Sequence, residues 1–323
     1  MASRKDPERQ PLLRSYSSRH GTTAPRGEST LLHTVFNSTN VLLGVGLLSL
    51  PLAVKSAGWI IGIGLLTFSA VVTAYTARLL ARCLDYDKTL VTYADLAYAS
   101  YGSRACNVTR VLFSFMMVAA SVALTILFGD IMHLLIPSLS GLQWKLVCGI
   151  VLIPLQFLPF SLLSFASLIG VIASVGLVLL TILSGICKDY SPGSLRQPAS
   201  TTLFPRSWTT VPLSIGLFMA PWGGHGSFPS LYRDMRDPKQ YNESLLISFP
   251  VTYILDLSMA VCGYLMYGMD TRDEIIANIL VTPGYPHALL IIIVALVAVM
   301  PVTKIPLRYV FLEHSGKIVL TEN

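Results

Sequence analysis

The chain has 323 residues, of which 53% are hydrophobic and only 12% charged, with a mean hydropathy of +0.63 and a formal net charge of +6. A soluble domain carries about 25% charged residues, so this composition cannot clothe a water-facing surface of the size the length demands, and a polytopic membrane protein is expected. The basic balance points to no nucleic-acid partner, because membrane proteins gather Lys and Arg on their cytosolic side.

The first 30 residues are polar, hold six Lys/Arg and lack the pattern of a cleavable signal, so 1–30 reads as a disordered cytosolic tail. Within it, Glu8-Arg-Gln-Pro-Leu12-Leu13 resembles an acidic dileucine sorting motif of the kind that sends membrane proteins to vacuoles or lysosomes. A spanning helix needs about 20 mostly apolar residues. Eight such segments follow, near 31–54, 58–82, 109–136, 144–163, 165–187, 209–231, 244–267 and 287–312, here called segments 1 to 8. They make 31–312 a transmembrane domain and leave 313–323 as a polar C-terminal tail. The stretch 92–102, TYADLAYASYG, suits a short interfacial helix better than a span. With the N-terminus in the cytosol and eight crossings, 17 of the 23 Lys and Arg fall on the cytosolic side, which favours that orientation.

Two of the segments are interrupted. Segment 1 contains Asn37-Ser-Thr-Asn40-Val-Leu-Leu43-Gly44-Val45-Gly46-Leu-Leu-Ser-Leu-Pro51, with two glycines and a proline in mid-span. Segment 6 contains Met219-Ala-Pro221-Trp222-Gly223-Gly224-His225-Gly226-Ser-Phe-Pro229, a run that cannot stay regularly helical. Small residues also let helices pack closely. Backbone left unpaired in a bilayer costs several kcal/mol per group, however, so such runs mark backbone that meets a cavity or a ligand. Segments 1 and 6 correspond under a five-helix repeat, and paired breaks of that kind point to a transporter's central site. Half-helix N-termini there offer N–H groups and a positive dipole end to a carboxylate. The expected substrate contacts are Asn40, Leu43, Gly44, Val45, Gly46, Pro221, Trp222, Gly223 and Gly224.

Ionisable residues inside spans are costly and mark candidate sites. Asp256 lies near the middle of segment 7, Lys304 in segment 8 and His225 beside the segment 6 break. A structural role stays open for each: Lys304 can snorkel to the interface, and a neighbouring hydroxyl can satisfy Asp256. Asp130 and His133, one turn apart at the end of segment 3, are placed to pair. Cys83, Cys106, Cys148, Cys187 and Cys262 are odd in number, form no C-x-x-C and read as small apolar residues. No metal site and no cofactor are expected. No H-E-x-x-H, G-x-S-x-G or phosphate-binding loop is present, so the reading is not that of an enzyme.

FNSTNVLLGVGLLSLPLAVKSAGW in segment 1, SIGLFMAPWGGHGSFPSLYRDMRDP in segment 6, DLSMAVCGYLMYG followed by DEIIANIL, and MPVTKIPL in segment 8 together resemble the amino acid/auxin permease family. The likeness covers about residues 28–307 and is greatest to its fungal vacuolar branch, which is itself similar to vesicular inhibitory amino acid transporters. It implies an all-α LeuT-type inverted-repeat fold of eleven helices, secondary active transport of amino acids across the vacuolar membrane, and coupling to protons or sodium. It also implies a sodium site between the first and eighth helices in sodium-coupled relatives, with Asn40 and Thr303 as the matching positions. Lys304 follows Thr303 directly, and a cation there repels sodium, so proton coupling is expected, with Asp256 and His225 as further candidates. Beyond Leu307 the sequence no longer resembles the family. The second repeat is therefore expected to be incomplete, and a non-transporting amino acid sensor or an inactive truncated form stands as the alternative.

Overall fold

The computed structural model describes residues 27–44, 46–157 and 160–320. Glu8, Leu12 and Leu13 of the sorting motif, and Val45 of the segment 1 break, lie outside them. The elements in chain order are α1 (Leu31–Leu42), α2 (Gly46–Tyr86), α3 (Tyr93–Tyr101), α4 (Ser103–Leu135), α5 (Gly141–Leu155) and α6 (Phe160–Cys187). They continue with α7 (Val211–Met219), a 3-10 stretch (Pro221–Ser227), α8 (Phe228–Asp234), α9 (Tyr241–Tyr267), α10 (Ile275–Val281) and α11 (His287–Leu320). Among the described residues there is no strand beyond one isolated bridge, Ser29 to Met235. The protein is all-α and multi-pass. Among the described residues five helices are long and apolar enough to cross a membrane, and Gly141–Leu155 and Trp208–Met219 are shorter apolar helices.

The helices begin where the sequence supplies caps. Thr30 accepts from the His33 amide at the start of α1. Capping boxes open α3, between Thr92 and Asp95, and α5, between Ser140 and Gln143. Such caps satisfy amides that have no partner within the helix. Segments 1 and 2 are expected to be separate helices, and they meet inside α2 at Gly58, where the backbone turns at φ 74°, ψ 171°. Only glycine suits that point: φ is positive, and a Cβ would lie 2.6 Å from the Phe204 carbonyl carbon. The loop before α7 covers the turn, with Trp59 and Ile60 donating to the carbonyls of Thr202 and Leu203, both at 3.1 Å.

The surface is apolar, and polar groups are buried within the apolar interior. Phe68, Val71, Leu112, Phe115, Ile150, Phe165, Ile172 and Ile254 are exposed, while Asn37, Asn40, Ser167, Asp256 and Lys304 are buried. Apolar side chains facing outward over so many helices suit lipid and not water. The principal packing joins α9 to α1 and α2, α11 to α4 and α6, and α6 to α1 and α9. This arrangement surrounds α1 and places the segment 1 break at the centre.

One expectation needs correction. Asp130 does not pair with His133: its carboxylate takes Lys145 at 2.8 Å across the α4–α5 turn, and the His133 ring lies 2.8 Å from the Leu139 carbonyl. A lysine on a neighbouring helix competes better than an imidazole on the same one, because it is always charged at neutral pH. α11 runs on to Leu320, into the stretch 313–323.

Candidate functional site

Both breaks occur where the glycines and prolines are. α1 ends at Leu42, and the chain re-enters a helix at Gly46. In segment 6 the helix tightens from α geometry into the 3-10 stretch Pro221–Ser227. The two breaks touch. A Cβ on Gly46 would lie 2.6 Å from Cδ of Pro221 and 3.0 Å from its backbone nitrogen, and one on Gly224 would overlap the Val41 side chain. Each glycine therefore lets one broken helix approach the other.

The amides expected to be free are not all free in this arrangement. Leu43 donates to Thr39 at 2.8 Å, Gly44 to Leu42 at 2.7 Å, Leu47 to Gly44 at 3.3 Å and Gly223 to Ala220 at 3.2 Å. The breaks close into local turns, the usual solution where water is absent. Trp222 is buried and stacks on Phe249 of α9 with ring centroids 5.5 Å apart, while its indole nitrogen has no hydrogen-bond partner. Gly223 faces away from segment 1, with Met116 Sδ 3.9 Å from where its Cβ would be.

Asn40 and Thr303, 263 residues apart in the chain, are brought together. Lys304 Nζ donates to the Asn40 backbone carbonyl at 3.0 Å and to Asn40 Oδ1 at 2.7 Å. Asn40 Nδ2 donates in turn to the Thr303 carbonyl and to Ser167 Oγ, both at 3.3 Å. Lys304 is only 2% exposed, so it does not snorkel. Its ammonium sits at the C-terminal end of α1, where carbonyls lack helical partners and the dipole favours a cation.

The sequence reading missed the contribution of α6. Ser164 accepts from Asn37 Nδ2 at 3.1 Å, Ser167 accepts from Asn40, and Gly170 makes room for both Asn40 and Thr303. A Cβ on Gly170 would collide with Asn40 Oδ1 and lie 2.7 Å from Thr303 Oγ1. The available signal was the small-residue spacing Ser164, Ser167, Gly170 along one helical face.

His225 and Asp256 do not join Lys304 in one hydrogen-bonded group. His225 Nε2 contacts Thr76 Oγ1 at 2.8 Å, on the side of segment 6 away from α1. That side opens on a cavity of about 590 Å³ lined largely by apolar groups, among them Phe68, Val72, Leu112, Phe113, Met116 and Trp222. Asp256 is completely buried on α9, and neither carboxylate oxygen has a hydrogen-bond partner among the described residues. Among the described residues, none of the five cysteines is in a disulfide.

One face of the molecule is tied shut by polar contacts. Arg233 donates to the carbonyls of Leu84, Asp87 and Leu90 at 2.7–2.8 Å, and Ser29 pairs through its backbone with Asp234 and Arg236, both at 2.9 Å. These bonds link the start of segment 1, the end of segment 2 and the end of segment 6. On the opposite face Lys55 Nζ donates to the Thr271 carbonyl at 2.7 Å.

The family described as transmembrane amino acid transporter protein matches residues 27–315. Among similar proteins, Amino acid transporter AVT1B of Arabidopsis thaliana is 34% identical over 263 residues, which is 78% of this chain and 47% of that protein. Amino acid transporter AVT1D of the same plant is 32% identical over 302 residues, 85% of this chain and 54% of that protein. The Vesicular GABA transporter of Caenorhabditis elegans is 26% identical over 255 residues, 76% of this chain and 49% of that protein. The chain thus spans about half the length of these relatives, all of them named as transporters and none as an enzyme. With paired breaks at its centre and a family match over most of its length, the chain belongs to the transmembrane amino acid transporter family.

Proposed function

We propose that this chain serves secondary active transport of an amino acid across the vacuolar membrane, with both termini cytosolic and with protons, not sodium, as the coupling ion. The observation that carries the reading is the Lys304 ammonium on the two oxygens of Asn40. By the family resemblance, Asn40 and Thr303 stand where sodium-coupled relatives bind the ion. A fixed cation there fills the place and opposes a second one by about 4 kcal/mol at about 4 Å for an effective dielectric of 20. The substrate carboxylate would take the amides of the two breaks once the contacts Gly46–Pro221 and Val41–Gly224 part. The acidic dileucine motif supports the vacuolar address, and the 17 of 23 Lys/Arg on the tail side support the orientation.

Uptake of radiolabelled amino acids by vacuolar vesicles carrying the chain tests the reading, with a pH gradient imposed and sodium present or replaced. Proton-driven, sodium-indifferent uptake is expected. Uptake that needs sodium and survives collapse of the pH gradient would overturn the coupling. Saturable binding without uptake would favour the sensor reading. Protease removal of an N-terminal tag from sealed vacuoles tests the orientation, and a tag protected until detergent is added would reverse it.

A further inference from the structure

Asp256 is a buried acidic side chain to which the transport reading gives no partner. It is 0% exposed, and among the described residues both carboxylate oxygens are without a hydrogen bond. Thr252, one turn earlier on α9, is likewise fully buried with its hydroxyl unpartnered. A carboxylate placed so, without a cation, is a several-kcal/mol liability, and unpartnered buried groups of this kind call for a missing ligand.

The packing of α9 shows what the two residues face. Ser248 donates to the Val35 carbonyl of α1 at 3.4 Å, and Gly263 fits against Pro51, where a Cβ would lie 2.9 Å from that ring's Cβ. Thr252 and Asp256 continue the stripe between these contacts at helical spacing. Asp256 stands about 12 Å along α9 from Ser248 at 1.5 Å per residue. Leu43 is as far in sequence from Val35 as Asp256 is from Ser248, so the carboxylate is level with the segment 1 break. Phe249, on the neighbouring stripe, stacks on Trp222 at the segment 6 break. The unpaired carboxylate therefore borders the point where both broken helices meet.

We propose that Asp256, assisted by Thr252, is the counter-ion for the substrate's ammonium group, so that the site takes a zwitterion: carboxylate at the breaks, ammonium at α9. The inference rests on the transport reading for the location of the carboxylate. It deepens that reading by naming the second charged end. The Lys304 ammonium is committed to the two oxygens of Asn40.

The test uses the purified full chain and isothermal binding of each of the twenty common L-amino acids. The best binder is then compared with its α-hydroxy acid, which lacks the ammonium, and with its carboxamide, which lacks the carboxylate. The wild type should prefer the amino acid to the hydroxy acid by on the order of 30-fold or more, as for a buried charge pair that loses one partner. Asp256→Asn should bring that ratio near one while leaving the preference over the carboxamide intact. Asparagine has nearly the same shape without the charge, so the variant should unfold at the wild-type temperature or above. An unchanged amino/hydroxy ratio in the folded variant sinks the ammonium assignment and leaves the transport reading standing. A variant that keeps the ratio but loses pH-dependent uptake also sinks it, in favour of a coupled proton. If the wild type binds none of the twenty, both the assignment and the central-site reading fall.

Discussion

Replacing Lys304 by methionine removes two charge-assisted hydrogen bonds, to the Asn40 carbonyl and to Asn40 Oδ1, at a site 2% exposed. Such bonds contribute about 1.5–3 kcal/mol each. Against that loss stands relief of the cost of holding an ammonium away from water, several kcal/mol per ion. The two terms nearly cancel, so the variant should fold with a loss of about 2 kcal/mol or less, mostly from Asn40 oxygens left without a donor. The larger effect is on ions. In the wild type, a sodium ion about 4 Å from the ammonium is opposed by about 4 kcal/mol, roughly a thousandfold in affinity. Without the ammonium, Asn40 Oδ1, the Asn40 carbonyl and Thr303 Oγ1 are oxygens of the kind a hard cation prefers. Thermal unfolding of the purified chain in sodium chloride and in choline chloride reads this out. The wild type should unfold at the same temperature in both, and Lys304→Met should gain stability in sodium alone. A wild type already stabilised by sodium would show that the lysine does not stand in for the ion, and the coupling argument would fail with it.

Gly46→Ala should separate the two breaks. The new Cβ meets the rigid Pro221 ring at 2.6 and 2.9 Å, so overpacking of about 1–3 kcal/mol is expected. Thermal unfolding should show that loss for Gly46→Ala and little for Gly223→Ala, whose Cβ has only Met116 Sδ at 3.9 Å. Equal effects would mean that the breaks do not rest on each other. Glu274, just before α10, is held up to about 7 by burial first and by Asp130 and Asp273 next. A carboxyl raised in the folded state contributes stability that is complete below its ordinary value of 4.5 and lost as pH rises through about 7. Screening by water limits this to on the order of 1–2 kcal/mol. Amide exchange across residues 275–281, corrected for intrinsic rates, should be slower at pH 5 than at pH 8, and Glu274→Gln should abolish the difference. Protection that rises with pH would contradict the sign.

The chain's class and most of its helix pattern were legible because a bilayer admits few solutions: long apolar runs become helices, and Gly/Pro clusters within them become breaks. The segment 1 and segment 6 interruptions were visible for that reason. What the breaks do was less legible. Whether an amide such as that of Gly44 or Gly223 stays free depends on a turn two or three residues away, and both amides found partners there. Long-range partners were hidden for a different reason. Nothing in spacing says that Lys304 will reach residue 40, or that Lys145 will take Asp130 from His133. Ser167 and Gly170 were legible only as a small-residue face, because their role appears once Asn40 is set against them. Asp256 stood out as an ionisable group in a span, but its lack of any partner is a property of the packed structure alone.

The contacts also decide which broken helix moves more cheaply. Counted in fives, segments 1, 2 and 3 correspond to 6, 7 and 8. α6 packs on α1, α9 and α11, and there it backs Asn37 and Asn40 with Ser164, Ser167 and Gly170. The mates of those three helices are segments 6, 2 and 3, and they line the cavity of about 590 Å³. One half thus holds its broken helix with charge-assisted bonds at Lys304 and a filled groove. The other half holds its broken helix with a 3-10 stretch, whose hydrogen bonds are of poorer geometry, and with open volume behind it. Displacing α1 costs the two lysine bonds, about 1.5–3 kcal/mol each. Displacing Pro221–Ser227 toward the cavity costs the stacking of Trp222 on Phe249, about 0.5–1.5 kcal/mol, and the contacts of His225 with Thr76 and with the Tyr93 ring. The segment 6 side is therefore the cheaper of the two to move away from Gly46 and Val41.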